Sequence, residues 1–582
     1  MTGHQFGPVL TDNGVTFRLW APAAKSVDLL TDTAHTMTAN DAGWFTVHIP
    51  DARAGTRYRF RIDGELTIPD PASRFQPEDV HGPSEVIDHG HDWQCPEWKG
   101  RPWHETCFLE LHVGTFSEAG TFRAAIDKLD HLAATGITAI ELMPVSDFPG
   151  RWNWGYDGVL PFAPDSEYGR PKDLKALIDA AHRRGLMVLL DVVYNHFGPE
   201  GNYLGRIAPA FFSRAQTPWG SAIDYRVPEV RAFAIENAVA WLHDYRFDGL
   251  RLDAVHAIVS RGAPDILTDI SRAAGALAES TGRHIHLVLE NDDNAASLLA
   301  PDEDPPRGHY RAQWNDDFHH AWHSRLTGER VGYYKDYVDN APLIARSMAE
   351  GFAYQGELSE HRGGKRRGEP SQHLSPLAFV NFLQNHDQIG NRARGERLTA
   401  LVPATDLEVA MAILMLSPSP PLLFMGEEWG STQPFPFFCD FKGELAEAVR
   451  SGREAEFAAS YTNSNDIPDP LAESTMRSAV LDWNAVQSGP GAARLSFVKS
   501  LLAARRTHIV PFLPGIVPGR ATAHFRKDTL VAHWQADHRV FCLAANFSGT
   551  ERPDPGVSTE ATIWQHGWRD TPRCVWAGFG AA

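Results

Sequence analysis

Gly249-Leu250-Arg251-Leu252-Asp253 has the pattern of a short buried strand that ends in a carboxylate. Two later segments have the same form: Leu287-Val288-Leu289-Glu290 and Phe382-Leu383-Gln384-Asn385-His386-Asp387. Burying an acid beside an apolar strand costs free energy unless the acid is paired or performs chemistry. One such acid alone is most often a strand-end cap or an ion-pair partner. Three together favour acid/base and covalent chemistry on an uncharged polar substrate such as a sugar.

These segments belong to a repeated strand, loop and helix pattern that begins near residue 105. Eight strands alternating with helices predict an α/β fold, a (β/α)8 TIM barrel whose active site lies at the carboxyl ends of the strands. The three acids follow strands 4, 5 and 7, at that end. The predicted strands are Phe108–Val113, Ile137–Met143, Met187–Val193, Gly249–Asp253, Ile285–Glu290, Tyr310–Trp314, Leu377–Leu383 and Pro421–Met425. The predicted helices are Phe122–Thr135, Pro171–Arg184, Pro228–Tyr245, Ala263–Glu279 and Leu407–Leu416.

The period of the fourth strand indicates which of its side chains reach the barrel mouth. Side chains alternate between the two faces of a strand, so Arg251 and Asp253 share one face and the two leucines share the other. The polar face is expected to line the mouth, with the leucines against the helices. The guanidinium of Arg251 is then placed to keep the Asp253 carboxylate ionised, as a nucleophile requires.

Two β-rich regions flank the barrel. Residues 1–95 alternate short apolar runs with turn signals and predict an N-terminal β-sandwich that resembles a carbohydrate-binding domain. Its Trp20 and Trp44 are either sugar-binding rings or core or interface residues, and the second alternative is favoured. Residues 96–490 form the predicted catalytic barrel, and residues 491–582 a helix followed by a small all-β domain.

Composition excludes several classes of partner and site. With 54 Lys and Arg against 73 Asp and Glu, the net charge of −19 disfavours nucleic acids and anionic membranes as partners. No secretory signal pattern opens the sequence, so we expect a cytoplasmic protein. The five cysteines are scattered without CxxC spacing, which fits reduced thiols and offers no zinc site.

Four segments resemble the signatures of the α-amylase family of glycoside hydrolases. They are Asp191-Val192-Val193-Tyr194-Asn195-His196, Gly249-Leu250-Arg251-Leu252-Asp253-Ala254-Val255-His256, Glu290 and His386-Asp387. The resemblance implies that Asp253 is the nucleophile, Glu290 the general acid/base and Asp387 the residue that stabilises the transition state. If the first two flank one glycosidic bond about 5.5 Å apart, the reaction retains anomeric configuration.

Other segments resemble one branch of that family, the trehalohydrolases. They are Leu289–Asn294, Trp314–Ala321, Phe382–Arg392 and Gly426–Gly430, and the loop from Phe197 to Tyr225 is too short for the inserted domain of secreted amylases. The implied reaction cleaves the α-1,4-glucosidic bond beside the terminal trehalose of maltooligosyl trehalose. The implied pathway partner is the synthase that makes this substrate, with no physical contact implied.

The resemblance also implies a set of substrate-binding residues. Tyr156 resembles the residue that stacks beneath the sugar being cleaved, and residues 316–320 resemble the element that recognises the trehalose end. The alternative for 316–320 is a polar helix start with acids at the positive end of the helix dipole. The full set is Tyr156, His196, Arg251, His256, Asp316, Asp317, Phe318, His319, His320, His386, Gln388 and Asn391.

Two other functions and one cofactor question accompany this prediction. A glycogen branching or debranching enzyme would keep the fold, and a non-catalytic glucan-binding protein would keep the barrel but is expected to lack an acid. Asn195 sits where calcium-binding amylases place a ligand, yet no oxygen-rich insertion supplies the other oxygens of such a site. We therefore expect no obligatory metal and no cofactor.

Overall fold

In a computed structural model, which describes residues 5–259, 265–457, 467–548, 553–556, 559–567 and 573–581, eight parallel strands close into a barrel. Each strand pairs with its neighbour in sequence, and the last pairs with the first. The eight-stranded barrel is confirmed. Its strands are β1 (Phe108–Leu111), β2 (Ala139–Leu142), β3 (Met187–Val192), β4 (Gly249–Leu252), β5 (His286–Leu289), β6 (Ala312–Trp314), β7 (Phe379–Phe382) and β8 (Pro421–Phe424).

Register brings the ends of β3, β4 and β5 to one level. Arg251 on β4 lies opposite Asp191 on β3, and Leu252 lies opposite Leu289 on β5. The backbone N–H of Asp253 donates to the Val192 carbonyl at 3.0 Å. Both acids that follow β4 and β5 therefore leave the sheet side by side at its carboxyl edge.

Helices cover the outside of the barrel, and one helix differs from its prediction. The segment from 122 to 135 forms two helices, because Lys128 closes a tight turn onto the Ala125 carbonyl between them. Ala263 lies outside the described residues, and the helix there begins at Ile266. The α-helices are Val113–Phe116, Phe122–Ile126, Leu129–Thr135, Pro171–His182, Leu204–Ile207, Pro228–Asp244, Ile266–Thr281, Asp316–Thr327, Asn340–Glu350, His386–Gly390, Leu398–Leu401, Ala404–Leu416, Gly443–Phe457, Glu473–Ser478 and Gly489–Ala504.

Two antiparallel sheets form the N-terminal sandwich. Trp20 is buried and its indole N–H donates to the Ala42 carbonyl, while the ring of Trp44 packs 5.0 Å from that of Phe6. Both tryptophans therefore pack in this domain, as the core alternative held. One sheet contains Val9–Thr11, Gly14–Trp20, Trp44–Ile49 and Thr38–Ala39; the other contains Ala34–Thr36, Val27–Leu30, Arg57–Ile62, Leu66–Ile68 and Ser84–Glu85.

The C-terminal region forms a five-stranded antiparallel sheet that packs on the barrel helices. Trp534 donates to the Met348 carbonyl at 3.2 Å, and the ring of Trp322 packs at a tilt against those of Phe525 and Phe547. One strand, Cys574–Ala581, was not predicted. In sheet order the strands are Ile516–Arg526, Thr529–Ala536, Arg539–Asn546, Cys574–Ala581 and Thr559–His566.

Three short hairpins project from the barrel loops. They are Ser146–Asp147 with Leu160–Pro164, Phe212–Thr217 with Gly220–Ile223, and Glu357–Ser359 with Lys365–Arg367. The division at 95/96 and 490/491 stays a prediction. Within the described part of the chain, no helix combines the length and apolar character that crossing a bilayer requires.

Candidate active site

A cavity of about 420 Å³ opens at the carboxyl ends of the barrel strands. Eleven of the fifteen predicted site residues line it, so the barrel brings most of the predicted set together. They are Tyr156, His196, Arg251, Asp253, His256, Glu290, Asp316, His386, Asp387, Gln388 and Asn391. The other lining residues are Trp154, Asp157, Trp219, Ala254, Trp314, Asn385 and Phe437.

Asp253 follows β4 and is held at both carboxylate oxygens. Arg251 Nη1 donates to Oδ1 at 2.8 Å, and the Asn195 amide donates to Oδ2 at 2.9 Å. The same amide donates to the Asp253 carbonyl at 2.9 Å. Asn195 is thus a positioning residue for Asp253, and these bonds leave the carboxylate fixed at the cavity wall.

Arg251, which lines the cavity, contacts three acids. Its Nη1 also donates to Asp191 at 2.7 Å, its Nη2 lies 3.8 Å from Glu290, and its guanidinium stacks 4.1 Å above the Trp314 ring. Burial raises the pKa of Asp191 to about 6, although the Arg251 charge opposes that rise. One planar cation therefore fixes the relative positions of Asp253 and Glu290.

Glu290 follows β5 in an environment that favours its protonated form. Burial is the main reason that its pKa lies well above 4.5, and the negative charge of Asp253 adds to the effect against the opposing charge of Arg251. The backbone N–H of Ala254 donates to Oε2 at 2.6 Å. A carboxyl group that keeps its proton beside an ionised partner has the properties of a general acid.

Asp387 lies in the first turn of the short helix after β7. The side chain of Asn385 accepts from its backbone N–H, and Asn391 Nδ2 donates to its Oδ1 at 2.7 Å. Burial raises the pKa of Asp387 above 3.8. Its unshared oxygen is therefore available to hydroxyl groups in the cavity.

Aromatic rings line the rest of the cavity, and sequence reasoning missed several of them. The Tyr156 ring stacks on His386 with centroids 5.1 Å apart, and its hydroxyl donates to Asp191 at 2.6 Å. Trp219 is 46% exposed and stacks 5.0 Å from the His196 ring. It sits in the turn between two short strands, where a tryptophan has no core to fill, and that position is the signal that could have found it.

Two of the cavity histidines differ in their hydrogen bonds. Burial lowers the pKa of His196, its Nε2 donates to the Tyr156 carbonyl at 3.0 Å, and its Nδ1 is bonded to the side-chain oxygen of Asn195, so protein groups occupy both ring nitrogens. Burial likewise lowers the pKa of His256, whose Nδ1 accepts from the Asp292 backbone N–H. The other ring nitrogen of His256 is therefore suited to orienting a hydroxyl group by a hydrogen bond.

Four predicted binding residues do not line the cavity. For three of them the prediction of direct contact with substrate is wrong, because their side chains are fully buried. Asp317, Phe318 and His319 have no exposed surface. His319 is bonded to the Leu383 carbonyl and the Tyr334 hydroxyl, so its ring is fully occupied. His320 is 8% exposed and packs 4.5 Å from the Tyr333 ring.

Asp317 shows what this helix start does instead. Its carboxylate accepts from the Arg367 guanidinium at 2.7 Å, the Tyr337 hydroxyl and the Asn294 amide. It also accepts from the backbone N–H groups of residues 353 and 354. Asp317 therefore ties the loop after β5 to the segments that follow β6, while its neighbour Asp316 reaches the cavity.

Asp316 is a second carboxyl group with a perturbed titration. Burial raises its pKa to about 7, although the Arg367 charge opposes the rise, and Gln388 donates to it at 3.3 Å.

Among the described residues, no group of three or more His, Cys, Asp or Glu side chains is placed to hold a metal ion. Whether a metal is dispensable stays a prediction.

Trp152 does not line the cavity and packs within its loop. Its indole N–H donates to the Cys439 carbonyl at 3.1 Å, and Arg151 covers its face.

The sequence analysis did not identify two buried glutamates, Glu110 on β1 and Glu141 on β2. They lie below the cavity, and only the closure of the barrel brings them near the residues of β3, β4 and β7.

Models of two domain families match parts of the chain. The α-amylase catalytic domain matches residues 111–209, which run from the last residue of β1 through β2 and β3 into the loop that follows. Carbohydrate-binding module 48, the isoamylase N-terminal domain, matches residues 5–73 in the sandwich. Both matches agree with the architecture described above.

Among solved structures, a presumed alpha amylase from Salmonella typhimurium superposes with a TM-score of 0.95 at 43% identity, covering 99% of both chains. A pullulanase from Paenibacillus barengoltzii, bound to maltohexaose and α-cyclodextrin, superposes with a TM-score of 0.71 at 18% identity over 99% of this chain and 96% of that one. The second likeness shows the fold alone.

Several curated relatives are similar over most of their length. The malto-oligosyltrehalose trehalohydrolase of Deinococcus radiodurans is 43% identical, covering 85% of this chain and 81% of that protein. That of Saccharolobus solfataricus is 40% identical, covering 86% and 87%. A 1,4-alpha-glucan branching enzyme of Corynebacterium jeikeium is only 27% identical, covering 73% and 62%. The chain belongs to the malto-oligosyltrehalose trehalohydrolase family of glycoside hydrolases.

Proposed function

We propose that this enzyme hydrolyses the α-1,4-glucosidic bond next to the terminal trehalose of maltooligosyl trehalose, releasing trehalose and a maltooligosaccharide with retention of configuration. The observation that carries the proposal is the shared guanidinium of Arg251, which contacts both Asp253 and Glu290 at one cavity. Curated relatives that are 43% and 40% identical to this chain are named for this reaction.

In the first step the Asp253 carboxylate attacks the anomeric carbon of the glucose that precedes trehalose. The bond from that carbon to the glycosidic oxygen breaks, and Glu290 gives its proton to the departing oxygen. Trehalose leaves, and the maltooligosaccharide remains joined to Asp253 as an ester. The raised pKa of Glu290 supports its role as proton donor.

In the second step water replaces trehalose. Glu290, now a carboxylate, takes a proton from the water, and the resulting oxygen attacks the same anomeric carbon. The ester bond to Asp253 breaks, and the two carboxyl groups return to their starting states. Two displacements on one carbon give net retention of configuration.

The remaining cavity residues bind and orient the sugar rings. Asp387 accepts hydrogen bonds from ring hydroxyls, most strongly as positive charge develops at the anomeric carbon. Tyr156 offers a flat ring beneath the sugar that is cleaved. Asp316 and Gln388 line the cavity and are hydrogen-bonded to each other, and they bind the trehalose end of the substrate.

The supply of substrate and the cellular setting follow from the same proposal. A synthase that builds a trehalose unit at the end of a maltooligosaccharide must act first, without any contact being implied. All five cysteines are free thiols, which supports a cytoplasmic protein. The net charge of −19 argues against nucleic acid and anionic membranes as partners.

The test is to incubate the purified enzyme with maltoheptaosyl trehalose and, separately, with a branched α-glucan. We expect free trehalose and maltoheptaose from the first substrate, and new α-configured reducing ends in an early proton spectrum. Altered iodine staining of the glucan without free trehalose would instead support a branching enzyme. Absence of any reaction in either arm would favour a glucan-binding protein.

A further inference from the structure

Glu110, on β1, makes a two-point contact with His386 across the barrel. One carboxylate oxygen accepts from the His386 backbone N–H at 3.1 Å, and the other is bonded to Nδ1 of its ring. Glu110 is 1% exposed and does not line the cavity, whereas His386 does. The first and seventh strands are therefore joined directly below the cavity floor.

This contact leaves one orientation for the imidazole. The ring is stacked on Tyr156 and meets the edge of Trp154 with centroids 5.5 Å apart, so it cannot turn over. Because a carboxylate only accepts hydrogen bonds, Nδ1 must be the donor. The other nitrogen, Nε2, has no partner among the described protein residues, and it is left for the cavity.

We propose that Glu110 is a positioning residue that fixes His386 with Nε2–H as a hydrogen-bond donor to a hydroxyl of the sugar undergoing cleavage. This inference rests on the function proposed above and assigns to it a residue that never touches substrate. A cationic donor at that hydroxyl binds more strongly than a neutral one.

The charges around His386 set the pH at which its imidazolium loses a proton. Burial, the largest single influence, works against the imidazolium, but the charge and the hydrogen bond of Glu110 raise the pKa of His386 above 6.5. Asp387 adds to this rise and Arg251 opposes it. The other titratable groups nearby are Asp191 and His112, and Glu141 lies beside Glu110.

The sign of the effect follows from these charges. A His whose pKa is raised in the folded protein keeps its charge to a higher pH than a free imidazole does, and loses it as pH rises through the raised pKa. The substitution Glu110→Gln keeps the shape and a hydrogen bond but removes the negative charge. His386 then loses its proton at lower pH, and the Nε2 donor weakens within the working range.

The experiment measures kcat/KM against pH for the wild type, Glu110→Gln and a matched control, Glu428→Gln. Glu428 is also a buried glutamate bonded to a histidine, His131, at 3.2 Å, but it lies away from the cavity. A maltooligosyl fluoride serves as a second substrate, because fluoride departs with little help from a general acid. With it, the alkaline limb no longer depends on Glu290.

For Glu110→Gln we expect the alkaline fall in kcat/KM to begin about one pH unit lower than in the wild type, on both substrates. At pH values above that limb, kcat/KM should be about 10-fold lower. In a His386→Gln background, Glu110→Gln should then have little further effect on the profile, because the two residues act as one unit. Coincident profiles for Glu110→Gln and Glu428→Gln, or fully additive losses, would overturn the inference.

A measurement on the unaltered protein covers the case in which the variant does not fold. In the long-range ¹⁵N–¹H spectrum, the His386 ring should remain an imidazolium above pH 6.5, with a protected Nδ1–H. A ring that titrates at or below 6.5 would contradict the assignment. This readout needs no turnover, so it stays informative even if the wild type releases no trehalose and the proposed function fails.

Discussion

The backbone N–H of Ala254 donates to Oε2 of Glu290 at 2.6 Å, so the residue that follows one acid holds the other. Ala254 adopts a left-handed conformation, with φ 41° and ψ 47°. The next N–H, from Val255, donates to the Glu290 carbonyl at 3.1 Å. The ends of β4 and β5 are thereby locked together, and the spacing between the two acids depends on one strained backbone position.

The substitution Ala254→Val should disturb this lock. A β-branched residue is strongly disfavoured at positive φ, so we expect a cost of about 1–3 kcal/mol in stability and at least about 10-fold lower kcat. Ala254→Gly is the matched control, since glycine adopts this conformation freely. Thermal unfolding and steady-state kinetics give both readouts. Equal activity for all three proteins would show that the lock has no role in turnover.

Asp253→Asn should abolish turnover while leaving the fold in place. The amide is nearly the same size as the carboxylate, yet it is not a nucleophile, so we expect at least about 10³-fold lower kcat. Initial rates of trehalose release, together with the melting temperature, check this expectation. The exposed Asp127→Asn serves as control. Turnover within a few-fold of wild type would remove Asp253 from the role of nucleophile.

Glu290→Gln should affect substrates according to their leaving groups. Loss of the proton donor should lower kcat on maltooligosyl trehalose by about 10²–10⁴-fold, and much less on the fluoride. Because burial raises the pKa of Glu290 well above 4.5, the wild type should lose activity as pH rises through the raised pKa, where the general acid gives up its proton. Equal losses on both substrates would contradict a general-acid role.

Asp316→Asn and Asp317→Asn should separate binding from stability. Asp316 lines the cavity, so its variant should raise KM for maltooligosyl trehalose with little change in melting temperature. Asp317 accepts from Arg367, Tyr337 and Asn294, and an amide there removes the carboxylate 2.7 Å from the buried Arg367 guanidinium, which keeps only Asp292 at 3.2 Å as an ion-pair partner. We expect that variant to lose about 3–5 kcal/mol of stability. The reverse pattern would restore Asp317 to the binding residues.

Asp147 and Asp165 should make stability fall as pH rises. Burial raises the pKa of Asp165 from 3.8 to about 8, and burial and the Asp165 charge raise that of Asp147. Groups that are neutral when folded stabilise the protein fully below pH 3.8, and this contribution is lost as pH rises toward about 8. Among the described residues, Asp147 Oδ2 has no hydrogen-bond partner.

The substitution Asp147→Asn keeps that side chain neutral at every pH. Calorimetry should therefore show a flatter fall of melting temperature between pH 4 and 8, with about 2–4 °C higher values at pH 8. The wild type and Asp127→Asn should fall together. A variant curve parallel to the wild-type curve would show that Asp147 is charged in the native protein.

Local pattern was sufficient to predict the barrel and the acids at its mouth. Near-continuous apolar runs bounded by turns identify buried parallel strands, and Asp253, Glu290 and Asp387 each end or follow such a run. The strand bounds shifted by only a few residues. The position of the cavity could therefore be predicted from single strand segments, each considered by itself.

The rest depended on geometry between distant segments. Successive residues of a helix point about 100° apart, so 316–320 cannot all face one cavity, and only Asp316 does. Glu110 reaches His386 only because β1 closes against β8 next to β7. Cys574–Ala581 is rich in small residues, which weakened its strand pattern, although it pairs with a neighbouring strand on each side.

The helix Asp316–Thr327 bears Asp316 at its start, and Trp322 on its far side rests against Phe525 and Phe547 of the C-terminal sheet. Arg325, further along, is paired with Asp528. A truncation before residue 516 would strip this helix of its outer support and expose an indole that is now fully covered. The C-terminal sheet thus supports the helix that carries Asp316, and we expect a shortened chain to bind substrate more weakly before the position of Asp253 is disturbed.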